Sequence, residues 1–232
     1  MIDDATLRAL DNPIWSSLAA RHAQFAVGGA LARRYRSDVS PLAALSGSAR
    51  ENVEALDVLF DVGDALTLAG PYVPELGSHW EALHASRATQ MIRTDASLLN
   101  EGDVDAVALG PDDVPEMLAL VEVTQPGPFR PRTIELGRFI GIRDGGKLVA
   151  MAGERMWIGS CREVSGVCTH PGAQRRGYAK ALMARVINRM LRAGETPFLH
   201  VESTNMRAID VYTMLGFVKR AEFPLLYARR VA

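Results

Sequence analysis

The sequence predicts an α/β (α+β) fold, with a mixed, mostly antiparallel sheet flanked by helices. Three observations lead there. Residues 163–169 form a strand-like run that passes through a charged, glycine-bearing turn into a helix, whose apolar residues fall at Leu182, Val186, Ile187, Met190 and Leu191. Before it, residues 139–143 and 147–157 read as two strands joined by the tight turn Asp144-Gly145-Gly146. After it, residues 197–202 are strand-like. A helix follows with Ala208, Ile209, Tyr212 and Leu215 on one face, and Gly216 ends it.

A chain of 232 residues can hold one large domain or two small ones, and 48% hydrophobic with 23% charged residues implies a packed core. The net charge of −1 argues against nucleic acid as a partner. That charge is unevenly spread. Residues 1–100 carry 8 Arg against 12 Asp and Glu, net −4, whereas residues 101–232 hold 18 Lys and Arg against 15, net +3. No apolar run approaches the roughly 20 residues that span a bilayer. The start, Met1-Ile2-Asp3-Asp4, lacks the basic and apolar regions of a signal peptide. A cytoplasmic location without membrane contact is expected. Two cysteines, Cys161 and Cys168, suggest neither a metal site nor a disulfide framework.

Residues 1–100 hold no sharp chemical motif. Asp11-Asn12-Pro13 reads as a cap and turn into a helix carrying Leu18. A second element begins at residues 26–35, residues 37–41 form a turn, and residues 42–45 are a short apolar segment. Residues 57–62 and 65–70 read as two strands about a Gly63-Asp64 hairpin turn. Residues 80–84 open a strand or short helix, and 89–93 a further strand. His22, His79 and His84 are spaced too irregularly for a metal site.

The polar stretch 100–105 marks a boundary between an N-terminal domain, 1–100, and a second domain, 101–232. Residues 104–109 give a strand. Asp112, Asp113 and Pro115 then start a helix with Met117, Leu118 and Val121 on its apolar face. Residues 125–129 break the chain, and 133–137 suggest a second short helix. The hairpin, turn and helices described above follow, and residues 218–227 complete the sheet as a strand or hairpin.

The turn between residues 170 and 177 is rich in donors and positive charge. The first turn of a helix offers unpaired N–H groups and a partial positive charge, so phosphate oxygens dock there. Gly177 lets the backbone approach closely and tolerates positive φ. Ala179 is nearly as small, and Arg175 and Arg176 add charge. No Gly-Lys-Ser/Thr follows, as a Walker loop requires, and Rossmann glycine spacing is absent. An ordinary strand-turn-helix with solvated arginines is the alternative reading.

Gln174-Arg175-Arg176-Gly177-Tyr178-Ala179 resembles the Q/R-x-x-G-x-G/A signature of the GNAT superfamily of N-acetyltransferases. Residues 205–217, N-x-x-A-I-x-x-Y-x-x-L-G-F, are similar to the second signature of that family and lie one strand after the first, as in the family. Residues 104–232 follow its element order, β-α-α-β-β-β-α-β-α-β. The resemblance covers slightly more than half the chain. Asn12-Pro13-Ile14-Trp15 and the run from Pro131 to Gly137 are similar to a bacterial GNAT subgroup with an extended N-terminal half. That half is then a degenerate copy of the same fold without its phosphate turn, or an unrelated cap.

The resemblance implies roles. The backbone N–H groups of Arg175, Arg176, Gly177, Tyr178, Ala179 and Lys180 would bind the pyrophosphate of acetyl-CoA. Val167 and Thr169 would pair with the pantetheine arm as with an added strand, and Asn205 would hydrogen-bond that arm. The thioester would sit where this strand splays from the next, around residues 198–202. Tyr212 holds the family position of the acid for the leaving thiolate. An ordinary pKa near 10 keeps it protonated at neutral pH, although Tyr212 also reads as a core aromatic.

A base is harder to place. Glu163 is the first choice, with Glu154 and Glu202 on flanking strands, and each also reads as a strand-end carboxylate without chemistry. Cys168 has no His/Asp partner spaced to activate it and reads as a small buried residue. His170 reads as structural. No metal is implied.

Two functions remain open. One is an acetyl-CoA-dependent N-acetyltransferase acting on a primary amine of a small molecule, amino acid or peptide in a ternary complex. Residues 126–138, 197–205 and the N-terminal half would form its acceptor cleft, with pocket volume deciding between acetyl and longer acyl groups. The other is a non-catalytic CoA-binding sensor or protein-interaction module, since no single base stands out. Oligomeric state stays open: in this family an exposed terminal strand often pairs between subunits, which would give a homodimer.

Overall fold

Capping chemistry sets the first two helices of the structure, a computed structural model that describes residues 2–232. Asp3 Oδ1 accepts the Thr6 N–H at 2.6 Å to start α1 (Asp4–Ala9). Pro13 opens α2 (Pro13–Ala19), at the position where a missing N–H costs nothing. Next come β1 (Ala26–Gly28), β2 (Ala32–Tyr35), β3 (Leu42–Leu45), α3 (Arg50–Asp57), β4 (Ala65–Ala69) and β5 (Trp80–Ile92). The expected strand at 57–62 is absent. Leu56 and Phe60 are buried, while Val58 and Val62 are 81% and 66% exposed, so the apolar period there is that of α3 and the turn after it. The segments expected as separate elements at 80–84 and 89–93 are one long strand, β5.

The second part runs β6 (Ala106–Leu109), α4 (Val114–Thr124), β7 (Phe139–Asp144), β8 (Lys147–Ile158), β9 (Cys161–Thr169), α5 (Tyr178–Arg192), β10 (Thr196–Glu202), α6 (Met206–Met214) and β11 (Val218–Arg230). This is the expected order, except that the second short helix expected at 133–137 is a single 3-10 turn, Thr133–Leu136. Gly145 and Gly146 both take positive φ, which gives the β7–β8 turn the twist its strands need. On α4 the buried stripe is Met117 and Leu120, with Leu118 and Val121 at its margin. The end of the chain is a single strand, β11.

Among the described residues all eleven strands join one sheet, ordered β1-β2-β3-β4-β11-β5-β10-β9-β8-β7-β6. Only β3–β4 and β9–β10 are parallel. The order has a mirror in it. From β1 inwards, three antiparallel strands lead through α3 to the parallel β4, and β11 lies beyond. From β7 inwards, three antiparallel strands lead through α5 to the parallel β10, and β5 lies beyond. The two sets exchange their fifth strands, which pair with each other at the centre.

Helix α5 packs on the second set. Leu182, Val186, Ile187 and Met190 are buried against Met91, Val164 and Leu199, each worth roughly 1.5–3 kcal/mol. A second core under α1 and α2 joins Leu10, Ile14 and Leu18 to Ile158 and Phe198, so both parts of the chain share it. No helix among the described residues is long and apolar enough to cross a membrane.

Candidate active site

β9 and β10 are paired only where Cys161–Glu163 meet Thr196–Phe198. Beyond that point β9 stays bonded to β8 and β10 to β5, and the two strands part. Between them opens a cavity of about 500 Å³. A bulge shapes its wall. Met151 pairs with Cys168 and Gly153 with Ser165, which leaves Gly166 and Val167 together opposite Ala152. Gly166 has φ +63°, and a Cβ there would come within 2.9 Å of Phe139 Cε1. Sequence reasoning missed this bulge, although its signal was present: a glycine inside a strand.

At the end of β9, His170 Nδ1 accepts the Gly172 N–H at 3.2 Å, the structural role expected of it. The turn then passes through Arg175 and Gly177, both at positive φ, into α5. The first helical bond is Ala181 N–H to Gly177 carbonyl, at 3.0 Å. The N–H groups of residues 175–180 have no acceptor among the described residues. Three or four free donors are usual at a helix start; here six run in succession, three before α5 and three in its first turn, and form its positive end. A Cβ at Gly177 would meet nothing within 4 Å, so the space before these donors is open. Such a donor set fits the diphosphate of a CoA thioester. Arg176 Nη1 donates to Asp144 Oδ2 at 2.8 Å, an exposed pair that draws its side chain toward the β7–β8 turn.

Across the cavity, Asn205 caps α6: its Oδ1 accepts the Ala208 N–H at 3.1 Å, which leaves Nδ2 free. The cap was not foreseen, although Asn is a favoured residue there. Tyr212 lines the same cavity, and its hydroxyl has no protein partner among the described residues. Burial holds its pKa above the ordinary tyrosine value. Arg93, a buried residue from the end of β5, donates from Nε to the Leu215 carbonyl at 2.9 Å and pins the end of α6. Val167, Thr169, Asn205 and Tyr212 thus border one cavity, with Gln174 at the edge of the amide cradle.

The three candidate carboxylates part company. Glu163 is fully buried and is not among the residues that line the cavity. Its Oε2 accepts from Arg155 Nε at 2.8 Å and from the Met156 N–H at 3.2 Å. Its Oε1 accepts from Arg155 Nη2 and His200 Nδ1, both at 2.8 Å. Burial alone would raise its pKa, but Arg155 and His200 outweigh that and hold it down to about 2. This corrects the expectation for Glu163: it is a counter-ion for Arg155, without the basicity or the access to take a proton from an amine. Glu154 is buried against Arg162 and Arg189, away from the cavity. Glu202 lines the cavity, its Oε1 2.7 Å from His84 Nε2.

Burial pushes the Cys168 thiol up to about 11, so it stays protonated and unreactive. No group of three or more His, Cys, Asp or Glu lies together among the described residues in a way that could hold a metal. Of residues 126–138, only 126–129 reach the cavity, whereas Pro13, Ile14, Leu42 and Thr67 of the first part do line it.

A family model for FR47-like proteins matches residues 139–224. A search of curated protein sequences gives no match. Among solved structures, a protein of Novosphingobium aromaticivorans assigned to the GNAT family of acetyltransferases is 35% identical. The match covers 96% of this chain and 99% of that one, with a TM-score of 0.88. A GCN5-related N-acetyltransferase of Kribbella flavida shares the fold at 16% identity and TM-score 0.60, over 100% of this chain and 97% of that one. A GCN5-related N-acetyltransferase-like protein of Streptococcus suis does so at 14% identity and TM-score 0.61, over 97% and 98%.

Proposed function

Because the chain belongs to the GNAT family of acetyltransferases, we propose that it moves an acetyl group from acetyl-CoA to a primary amine by direct attack in a ternary complex. The observation that supports this most is a pairing of features: six unbonded amides lead into α5, beside a cavity that Asn205 and Tyr212 share between parted strands. When bound, acetyl-CoA supplies a thioester carbonyl, and attack by an uncharged amine forms the C–N bond and breaks the C–S bond.

The amides of residues 175–180 hold the diphosphate, where fixed dipoles need no reorganisation. The free edge of β9 at Val167 and Thr169 takes the pantetheine amides as an added strand, and Asn205 Nδ2 donates to the same arm. The Tyr212 O–H donates to the departing sulfur, and burial keeps it protonated for that task. Glu202, among the described residues the only Asp or Glu lining the cavity, is left to relay the amine's proton to solvent through Oε2, the oxygen that His84 does not bond. The first part of the chain, mirrored in the sheet order, is best read as a degenerate copy that has kept the strands and lost the cradle.

The test follows free thiol in a mixture of protein, acetyl-CoA and a panel of amines. Tyr212→Phe should lower kcat by roughly 100-fold or more while leaving acetyl-CoA affinity intact. Gly177→Glu should abolish CoA binding by calorimetry, since it sets a carboxylate before the amides. CoA binding without turnover across the panel would favour a CoA-binding sensor or protein-interaction module instead.

A further inference from the structure

Arg155 has one nitrogen to spare. Its Nε and Nη2 are both committed to Glu163, but Nη1 has no partner among the described residues, and Arg155 lines the cavity. Among the described lining residues it is the only Arg or Lys. Glu202, the only acid there, is already bonded to His84.

Two hydroxyls face the same space. Tyr227 on β11 and Thr67 on β4 are directly opposite each other in the strand register, and both line the cavity. Neither side chain has a hydrogen-bond partner among the described residues, although Thr67 is only 3% exposed. Tyr227 feels Arg155: burial raises its pKa, the guanidinium opposes that rise, and the Glu202 carboxylate adds to it. The nearby lining is apolar, from Pro13, Ile14, Leu42, Ala69 and Leu225. By sheet order β4 lies three strands from β10, roughly 14 Å, so this end extends well past the parted strands.

Three unpartnered donors, one of them on a guanidinium, line one largely apolar stretch of a cavity whose single acid, Glu202, is bonded to His84, and they select an anion with an apolar body. Resting on the acyl-transfer reading above, we propose that the acceptor is an α-amino acid with an apolar side chain, its carboxylate held by Arg155 Nη1 and the hydroxyls of Tyr227 and Thr67. Glu163, bonded in turn to His200, holds Arg155 Nε and Nη2 and leaves Nη1 as the uncommitted end of the guanidinium. A protonated amine in the same place would offer these donors no acceptor.

The experiment compares leucine, valine and phenylalanine with their amides, at saturating acetyl-CoA, by thiol release. The acids should exceed their amides by roughly 100-fold in kcat/KM, because an amide cannot accept from Arg155 Nη1 and both hydroxyls as a carboxylate does, and leaves buried donors unmet. Tyr227→Phe and Thr67→Val should each cut that acid-over-amide preference about tenfold. They are chosen because replacing Arg155 would strand Glu163 in the core. Amides consumed as well as the acids would overturn the carboxylate site and leave acyl transfer standing. If no compound releases thiol, calorimetry decides, using N-acetylleucine and N-acetylleucinamide on CoA-saturated protein. Preferential binding of the acid, weakened by Tyr227→Phe, supports the site; equal or absent binding overturns it.

Discussion

Every oxygen of the Glu163 carboxylate is engaged in the folded chain, and that sets how the fold responds to acid. Its pKa falls from 4.5 to about 2 on folding, so its contribution is complete above pH 4.5 and is lost as pH drops toward 2. His22 acts in a higher window. Buried beside Tyr35 and Ser17, it is pushed from 6.5 down to about 4, chiefly by desolvation. The unfolded chain therefore binds the extra proton between those values, and stability falls as pH drops from 6.5 to 4. Melting temperature scanned against pH should show both slopes. His22→Gln should flatten the upper one, and Glu163→Gln should cost on the order of 3 kcal/mol at neutral pH by stranding Arg155. None of this was legible beforehand. Glu163 meets Arg155 and His200 only through strand register, so its place in the motif-bearing strand suggested a base where the fold has a buried ion pair. That Asn205 and Tyr212 would face one cavity and that free amides would lead into α5 was legible, because both follow from local spacing.

At the scale of elements, the bulge in β9 and the turn into α5 use glycine for different reasons. At Gly177 only the backbone conformation matters, since added atoms meet open space. Gly177→Ala should destabilise by about 1 kcal/mol and leave CoA binding measurable, in contrast to Gly177→Glu. At Gly166 both conformation and space matter, because Phe139 blocks a Cβ. Gly166→Val should cost about 2 kcal/mol or more in denaturant melts and weaken CoA binding by calorimetry, as β9 loses the geometry of its free edge. Helix α5 could be read from its apolar stripe, whereas α3 could not. Its eight residues hold only Asn52 and Leu56 buried, too few to reveal a period, and the valines after it imitate an alternating strand. In β5, residues 81–85 are all exposed, so no inward and outward alternation marks that half as strand. Pairing with β11 holds it there instead.

For the molecule as a whole, the exchange of β5 and β11 ties the two parts of the chain together. A fragment of residues 101–232 would expose the edges of β10 and β11 that β5 covers. Expressed alone, that fragment should aggregate, and co-expression with residues 1–100 should restore a soluble complex with the circular dichroism of the intact protein. A soluble, cooperatively melting fragment would show the exchange to be dispensable. The two signatures made the order of the second part legible. The exchange was not, because nothing in a strand's own composition names a partner so distant in the chain.

That exchange also imposes a timetable on synthesis. Ala65 pairs with Arg229 and Trp80 with Arg230, so β4 and β5 leave the ribosome long before the strand that joins them exists. The sheet closes in one late event, once β11 has emerged, and such distant pairing is slow. Until then the nascent chain carries open edges, for which chaperones and aggregation compete.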